Sequence, residues 1–367
     1  MKLPLIKDTP ERKILASPEY NFVFRKSDGF FARWGKTKEE DPPFSPYGPE
    51  ILDLEIGTGE CLGNCPFCYK CNGSGVETEN MSLETFKTIF HKMPNTLTQI
   101  AFGITNITGN PAFFQMMDYA RKHGVIPNYT CHGLDVTPKI AEVTAALCGA
   151  VAVSIVKKAK TYDAIKMFTD AGMQQVNIHY MLSEETYQRA YNVIDDIASD
   201  PRLAKLNAIV FLQYKPKGAQ PNRYHVISTP EKYKQLVEYA QGKGVGIGFD
   251  SCSAPLYFKA IEDDPNREQL AMYAEPCEGF GMFSSYINTQ GVYFPCSFCE
   301  GENGWEDGLD VAGCDDFLKD VWHHPKTKKW REIILNSSCN CQCDFATMCR
   351  SCPIFDVTAC KQDVAMV

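Results

Sequence analysis

Between residues 51 and 250, short apolar runs alternate with amphipathic segments, and that alternation admits few architectures. Apolar runs occupy 51–56, 98–103, 125–130, 150–156, 176–182, 207–213 and 245–249. Helical patterns lie between them at 83–93, 112–123, 137–148, 160–171, 184–198 and 230–242. A strand, helix, strand repeat predicts a parallel sheet, because parallel neighbours need a long crossover that a helix supplies. The runs 150–156 and 207–213 are nearly all apolar, which predicts strands covered on both faces. Thr137-Pro138 and Thr229-Pro230 each offer an N-cap hydroxyl followed by proline at the first helical position. Ser183-Glu184-Glu185 puts acidic residues in a first turn, where the helix dipole favours them. Six such units and a closing strand predict the α/β class, as a partial (β/α)6 TIM-like barrel.

Cysteine is the second constraint. The 367 residues include 17 cysteines: four between Cys61 and Cys71, three between Cys131 and Cys252, and ten between Cys277 and Cys360. No apolar run approaches the ~20 residues of a membrane helix. The N-terminus lacks the apolar core of a signal peptide. The expected location is therefore cytoplasmic, with no membrane partner. Disulfides are disfavoured there, so clustered cysteines point to metal. A net charge of −8 and an acidic pI of about 5.5 argue against a nucleic-acid partner, which would call for a basic surface.

The run Glu60-Cys61-Leu62-Gly63-Asn64-Cys65-Pro66-Phe67-Cys68 has C-x3-C-x2-C spacing and directly follows the first apolar run. Iron–sulfur clusters are normally held by four cysteine thiolates. Three thiolates on one tight loop can hold three irons of a [4Fe–4S] cluster and leave the fourth open to a small molecule. The strand end is also where such a barrel places its chemistry. A zinc loop or buried thiols is the competing reading, but zinc sites favour paired C-x2-C elements.

This motif and its context resemble the radical S-adenosylmethionine (SAM) superfamily. The resemblance implies the partial barrel over 49–253, with Cys61, Cys65 and Cys68 on the cluster and SAM on the open iron. It also implies that an electron from the cluster breaks a carbon–sulfur bond of SAM to give a 5′-deoxyadenosyl radical. Phe67 stands where the family has an aromatic residue near the adenine. Thr108-Gly109-Asn110-Pro111 stands at the place of the family's Gly-Gly-Glu segment, which implies Gly109 and Asn110 near the SAM amino group. Ser154 matches a serine near the SAM carboxylate or ribose. Gln213, with Tyr214, ends the sixth run and could line the same pocket.

Near the C-terminus, Cys277 is followed by thirteen residues, Gly291, four residues and Cys296. This is similar to the opening of the SPASM domain of radical SAM enzymes that modify peptides and proteins, such as anaerobic sulfatase maturases. The chain continues Cys339-x-Cys341-x-Cys343-x5-Cys349-x2-Cys352 and then Cys360, against a family pattern C-x2-C-x5-C-x3-C. The x5 step matches, the flanking steps differ by one residue, and there is an additional cysteine. The resemblance implies two auxiliary [4Fe–4S] clusters. Cys277, Cys296 and Cys352 would serve one, with Cys252, Cys299 or Cys314 as fourth ligand, or an open site. Cys343, Cys349, Cys360 and one of Cys339 or Cys341 would serve the other. Structural zinc remains the alternative, since Cys296-x2-Cys299 and Cys349-x2-Cys352 have zinc-like spacing.

Cys131 and Cys252 sit at run ends away from the dense clusters. Either could give a hydrogen atom to a substrate radical, though most free cysteines are small buried hydrophobes. His132 and His179 read as core groups, and Lys157-Lys158-Ala159-Lys160 as a solvated helix start. Three domains are expected: an N-terminal extension at 1–48, the barrel at 49–253, and a linker helix with the cysteine-rich SPASM-type domain at 254–367. The extension shows one hairpin, around Ser27-Asp28-Gly29, and looks too short to bind a leader peptide by itself. The 283–294 segment reads as another hairpin; beyond it the chain looks loop-rich, short of apolar periodicity and unable to bury a core without metal. The function implied is hydrogen abstraction from a peptide or protein side chain, with crosslinking, oxidation or epimerisation as outcomes. A flavodoxin- or ferredoxin-type reductant and a separate leader-binding partner would accompany it. A small-metabolite substrate and a non-enzymatic electron-transfer or zinc-organised protein are the alternatives.

Overall fold

The computed structural model describes residues 4–302, 304–337 and 349–355. The chain opens with an antiparallel sheet of β1 (Leu5–Asp8), β2 (Arg12–Ala16), β3 (Asn21–Arg25) and β4 (Phe31–Trp34), paired in that order. The β3–β4 turn is the expected hairpin, with Gly29 at φ 76°. β1 and β2 escaped the sequence reading because a lysine occupies an inward position. Lys13 is buried beside Leu15, and its Nζ donates to the Leu97 carbonyl at 2.6 Å.

The second sheet carries the alternation. Its parallel strands are β5 (Ile51–Glu55), β8 (Gln99–Gly103), β9 (Ile126–Cys131), β10 (Ala150–Ser154), β11 (Gln175–Leu182), β12 (Ala208–Gln213) and β13 (Ile247–Phe249). A small ribbon, β6 (Gly57–Thr58) with β7 (Glu79–Asn80), leaves the end of β5. Helices α1 (Leu83–Lys92), α2 (Phe113–Lys122), α3 (Pro138–Leu147), α4 (Lys158–Asp170), α5 (Tyr187–Ser199) and α6 (Glu231–Gly242) connect the strands. Thr137 caps α3 as expected, accepting from the Ile140 N–H at 3.3 Å. Helix α6 starts one residue later than expected, after Pro230. Helix α5 starts at Tyr187, so Ser183-Glu184-Glu185 form the turn ahead of it.

After α7 (Ala254–Ile261) and α8 (Arg267–Leu270), the second hairpin forms from β14 (Ser284–Ile287) and β15 (Val292–Phe294). It does not stand apart. β14 pairs parallel with β5, and β15 pairs with β16 (Leu309–Asp310). The sheet order is β13-β12-β11-β10-β9-β8-β5-β14-β15-β16, an open sheet among the described residues. The architecture is thus the expected partial barrel, continued past its first strand.

On β11 and β12 only one strand face is fully covered. On β11, Val176, Ile178, Tyr180 and Leu182 are buried, while Gln175, Asn177, His179 and Met181 are only half-buried. β12 alternates likewise, with Ile209 and Phe211 buried and Val210 and Leu212 half-buried. The expectation of two covered faces fails for β12, whereas on β10 Val151, Ala152 and Val153 are all buried. The inner face borders a water-accessible lumen, and small or modest apolar residues there imitate a fully buried strand.

The first sheet closes the end of this lumen at the strand N-termini. Besides Lys13 to Leu97, Gln175 Nε2 donates to the Asp28 carbonyl at 3.1 Å, and Arg33 Nη1 meets Glu50 Oε2 at 2.7 Å. Leu97, Gln175 and Glu50 all precede or begin inner strands. The extension therefore packs on the barrel, at the opposite end from the cysteine loop. The C-terminal segment also holds a core of its own, contrary to expectation. Trp305, Phe317, Val321, Trp322 and Ile334 are buried, and α9 (Pro325–Asn336) packs over them. Trp322 Nε1 donates to the Ser45 carbonyl at 2.9 Å. Trp305 and Phe317 lie on loops, and Val321 and Trp322 on a single helical turn, Leu318–Trp322, so no long period announces them.

Arg33 ties the three regions together. Its guanidinium pairs with Glu50 and Glu278 and lies 3.5 Å from the Phe283 ring centroid. Removing one partner of a buried ion pair strands the other charge. Arg33→Ala is expected to lower unfolding free energy by roughly 3–5 kcal/mol in chemical denaturation. Adding Glu50→Gln should return part of that loss.

Candidate functional site

The cysteine loop begins where β5 ends. β6 and β7 hold its two ends together, and Gly73 N–H donates to the Gly59 carbonyl at 3.0 Å. Asn72 Oδ1 accepts from Gly59 N–H at 2.8 Å, and Asn64 turns the chain with φ 43°. These local bonds set Cys61, Cys65 and Cys68 at the rim of a cavity of about 430 Å³. The cavity floor comes from strand C-termini: Thr130 and Cys131, Ser154, His179, Gln213 and Lys215.

Gly63 lies between two of the thiols. A Cβ there would sit 3.3 Å from Cys61 Sγ and 3.6 Å from Cys65 Sγ, so glycine keeps the space beside both sulfurs open. Burial, then the neighbouring thiols, pushes the free Cys65 thiol up to about 12. Three thiolates share such a loop only with a cation among them. Both observations fit a cluster held by Cys61, Cys65 and Cys68. Among the described residues, no three His, Cys, Asp or Glu side chains converge at the distance of a single bound ion.

Of the residues expected near SAM, four line the cavity: Phe67, Ser154, Gln213 and Tyr214. The Phe67 ring meets Tyr224 edge-on at 6.1 Å, and Tyr224 lies 5.6 Å from Tyr214. Gln213 accepts from the Tyr233 hydroxyl, while its Nε2 is buried with no partner in the structure. An unpaired buried donor costs roughly 1–3 kcal/mol, so the wall is prepared for an acceptor that a ligand brings. Gly109 and Asn110 lie outside this lining. Asn110 is buried, and its Nδ2 donates to the Ile56 and Met81 carbonyls at 2.8 and 2.9 Å. Its Oδ1 accepts from Ala112 N–H at 2.9 Å. The side chain expected to hold an amino group instead fastens the exit of β5.

Two charged groupings were missed. Lys70, two residues past Cys68, meets Glu55 at 3.1 Å and also Glu300 and the Tyr286 hydroxyl. Tyr69 beside it stacks on Phe298 with centroids 4.0 Å apart. The cysteine loop is thus bolted to the C-terminal region. Lys215 is buried and pairs with Asp250 at 2.6 Å, with its ammonium 4.6 Å from the Phe298 ring centroid. In sequence each is a lone lysine, and no spacing distinguishes it from a solvated one.

The C-terminal cysteines gather behind that lysine. Cys252, Cys277, Cys296, Cys299 and Cys352 are close enough to raise or lower one another's ionisation. Backbone N–H groups of Phe298 and Phe355 point at Cys296 Sγ and Cys352 Sγ, each at 3.4 Å. Cys314 stands apart, donating to the Val311 carbonyl at 3.3 Å amid aspartates. Of the three cysteines expected as fourth ligand, Cys252 and Cys299 lie within this group and Cys314 does not. Cys349 is buried. Cys339, Cys341, Cys343 and Cys360 lie outside the described residues.

The two proposed hydrogen donors separate. Cys131 lines the cavity, and burial pushes its thiol up to about 12. Cys252 does not line it and belongs with the cysteine group. His132 Nε2 donates to Asn106 Oδ1 at 2.9 Å and its Nδ1 accepts from the Leu134 N–H at 2.9 Å, which fixes its ring. His179 faces the cavity with Nδ1 3.4 Å from Thr130 Oγ1.

No family model and no curated protein sequence matches this chain. Solved structures do match its fold. SuiB of Streptococcus suis bound to precursor peptide SuiA aligns at TM-score 0.72 and 11% identity, covering 98% of this chain and 100% of that one. SuiB bound to S-adenosylmethionine aligns at TM-score 0.69 and 12% identity, over 98% and 100% of the two chains. The protein anSMEcpe with bound AdoMet and the Cp18Cys peptide aligns at TM-score 0.59 and 15% identity, over 86% and 94%. The architecture is therefore shared with these proteins. No described helix is long and apolar enough to cross a membrane.

Burial lowers His179 from 6.5 to about 4. Stability from its neutral form is complete above about pH 6.5 and is lost as pH falls through about 4. The wild-type chain should lose about 2 kcal/mol more over that interval than His179→Gln, measured by denaturant unfolding at each pH.

Proposed function

We propose that this protein is a radical SAM enzyme that modifies a peptide or protein side chain. The carrying observation is the three-thiol loop opening into the cavity at the strand C-termini, with glycine clearing the space beside the sulfurs. Cys61, Cys65 and Cys68 would hold a [4Fe–4S] cluster, and SAM would occupy the cavity. Together, when bound, they supply a 5′-deoxyadenosyl radical able to remove a hydrogen atom from substrate. Phe67 with Tyr214 and Tyr224 offers aromatic surface for the adenine, and Gln213 Nε2 and Ser154 offer polar contacts. Lys70 and Tyr69 keep the loop in register with the C-terminal region.

Cys277, Cys296, Cys352 and either Cys252 or Cys299 would hold one auxiliary cluster, close behind Lys215. Cys343, Cys349, Cys360 and one of Cys339 or Cys341 would hold a second. A peptide substrate is supported by the shared architecture with proteins solved with peptides bound. The electron source would be a flavodoxin- or ferredoxin-type protein, with the enzyme in the cytoplasm. A separate leader-binding partner would present the peptide.

Replacing Cys61, Cys65 and Cys68 together by alanine should abolish 5′-deoxyadenosine formation by anaerobically reconstituted protein. Iron should fall by about four atoms per chain. Retained SAM cleavage in that variant would remove the assignment.

Cys131 favours hydrogen return as the reaction class. Its S–H bond would break homolytically, giving the hydrogen atom to the substrate carbon radical. The thiyl left behind would take an electron from the reductant protein and a proton from water. Cys131→Ala should leave SAM cleavage intact and stop deuterium transfer from heavy water into product. Unchanged deuterium incorporation would shift the reaction to oxidation or crosslinking.

A further inference from the structure

Lys215 is wedged between two turns that carry cysteines of the C-terminal group. It lies two residues beyond β12 and lines the cavity at the three thiols. On one side its ammonium stands 4.6 Å from the ring centroid of Phe298, whose backbone N–H points at Cys296 Sγ at 3.4 Å. On the other it meets Asp250 at 2.6 Å, in the turn that continues through Cys252. Lys217 clamps the first of these turns, donating to the Phe298 carbonyl at 2.8 Å and also to that of Glu300. Its own charge meets Glu302 at 3.0 Å.

The ion pair is held with a fixed direction. One Asp250 oxygen accepts from the Gln213 and Ser253 N–H groups at 3.1 and 3.0 Å and from the Ser253 hydroxyl at 2.6 Å. These bonds fasten the carboxylate to its own turn and to the end of β12, and the lysine lies on the Phe298 side of it. The cysteines feel the cation more than the anion. Burial raises the Cys252 thiol, and Lys215 opposes that rise more strongly than Asp250 adds to it. Two other charges reach the group. Asp53 acts on Cys296, and the half-buried Arg350 donates to the Cys277 carbonyl at 3.0 Å. Lys215 is the buried cation of the two, so water screens it less.

A cluster held by cysteine thiolates gains one negative charge when it is reduced. Net charge and polar surroundings set its potential. A fixed cation within the protein interior favours the more negative form.

We infer that Lys215 raises the reduction potential of the cluster that Cys277, Cys296, Cys352 and Cys252 or Cys299 would hold, making it easier to reduce from the cavity side. The inference rests on the iron–sulfur reading of these cysteines. It needs no particular substrate.

The test is a dye-mediated redox titration of anaerobically reconstituted full-length protein, followed by electron paramagnetic resonance. Alanine at Cys61, Cys65 and Cys68 leaves the C-terminal clusters as the only source of signal. In that background Lys215→Met should lower the midpoint of one signal by about 59 mV, a tenfold change in a one-electron equilibrium, and leave the other in place. Lys215→Arg, which keeps the charge, should stay near the unsubstituted midpoint. Because Lys215→Met strands Asp250, Lys215→Met with Asp250→Asn is measured beside Asp250→Asn alone, and the same fall is expected between those two. Unmoved midpoints in both comparisons would overturn the inference, as would an equal fall in Lys215→Arg. A background protein with no iron–sulfur signal would remove the parent reading, and this inference with it. Signals that are present and unmoved remove this inference alone.

Discussion

The pairing of β14 with β5 is the contact on which the site depends. β5 carries the cysteine loop at its end, and it would be the exposed edge of the barrel sheet if β14 did not cover it. A bare edge strand is a template for unwanted pairing and a poor anchor for a rigid loop. With β14 in place, Tyr286 stands beside the end of β5 and reaches Glu55, and Lys70 of the loop joins both. The C-terminal region thereby becomes part of the wall that holds the loop.

That arrangement explains the distribution of charge. Burying Lys70 among Glu55, Glu300 and Tyr286, and Lys215 against Asp250, is expensive unless each charge is paired. These groups are paired with one another across the junction between the loop, the barrel and the C-terminal region. The cost therefore enforces the relative placement of the two cysteine groups. Phe298 sits at the same junction, stacked on Tyr69 and covering Lys215.

The lumen follows from the way helices cover only the outer face. Strands of the β11 type spend one face on the helix layer and leave the other polar and open. The first antiparallel sheet closes the far end, using Lys13, Arg33 and the Asp28 carbonyl. A pocket results that opens at the strand C-termini, and the three thiols stand at that opening.

The sequence by itself determined the strands and helices of the barrel, since periodicity and caps are local. It determined the three-thiol loop too, since Cys61, Cys65 and Cys68 are spaced within one turn of chain. Phe67, Ser154 and Gln213 were legible through their positions beside the loop or at strand ends. Only the tertiary structure decided the rest. Asn110 was misread because whether an amide faces a cavity or clamps backbone depends on Ile56 and Met81, distant in sequence. Cys131 and Cys252 look alike as strand-end thiols, and their separation comes from the curl of the sheet. Lys70 and Lys215 carry no motif at all. A charge acquires meaning from what faces it, and what faces it is set by β14 crossing back to β5 after more than half the chain has intervened.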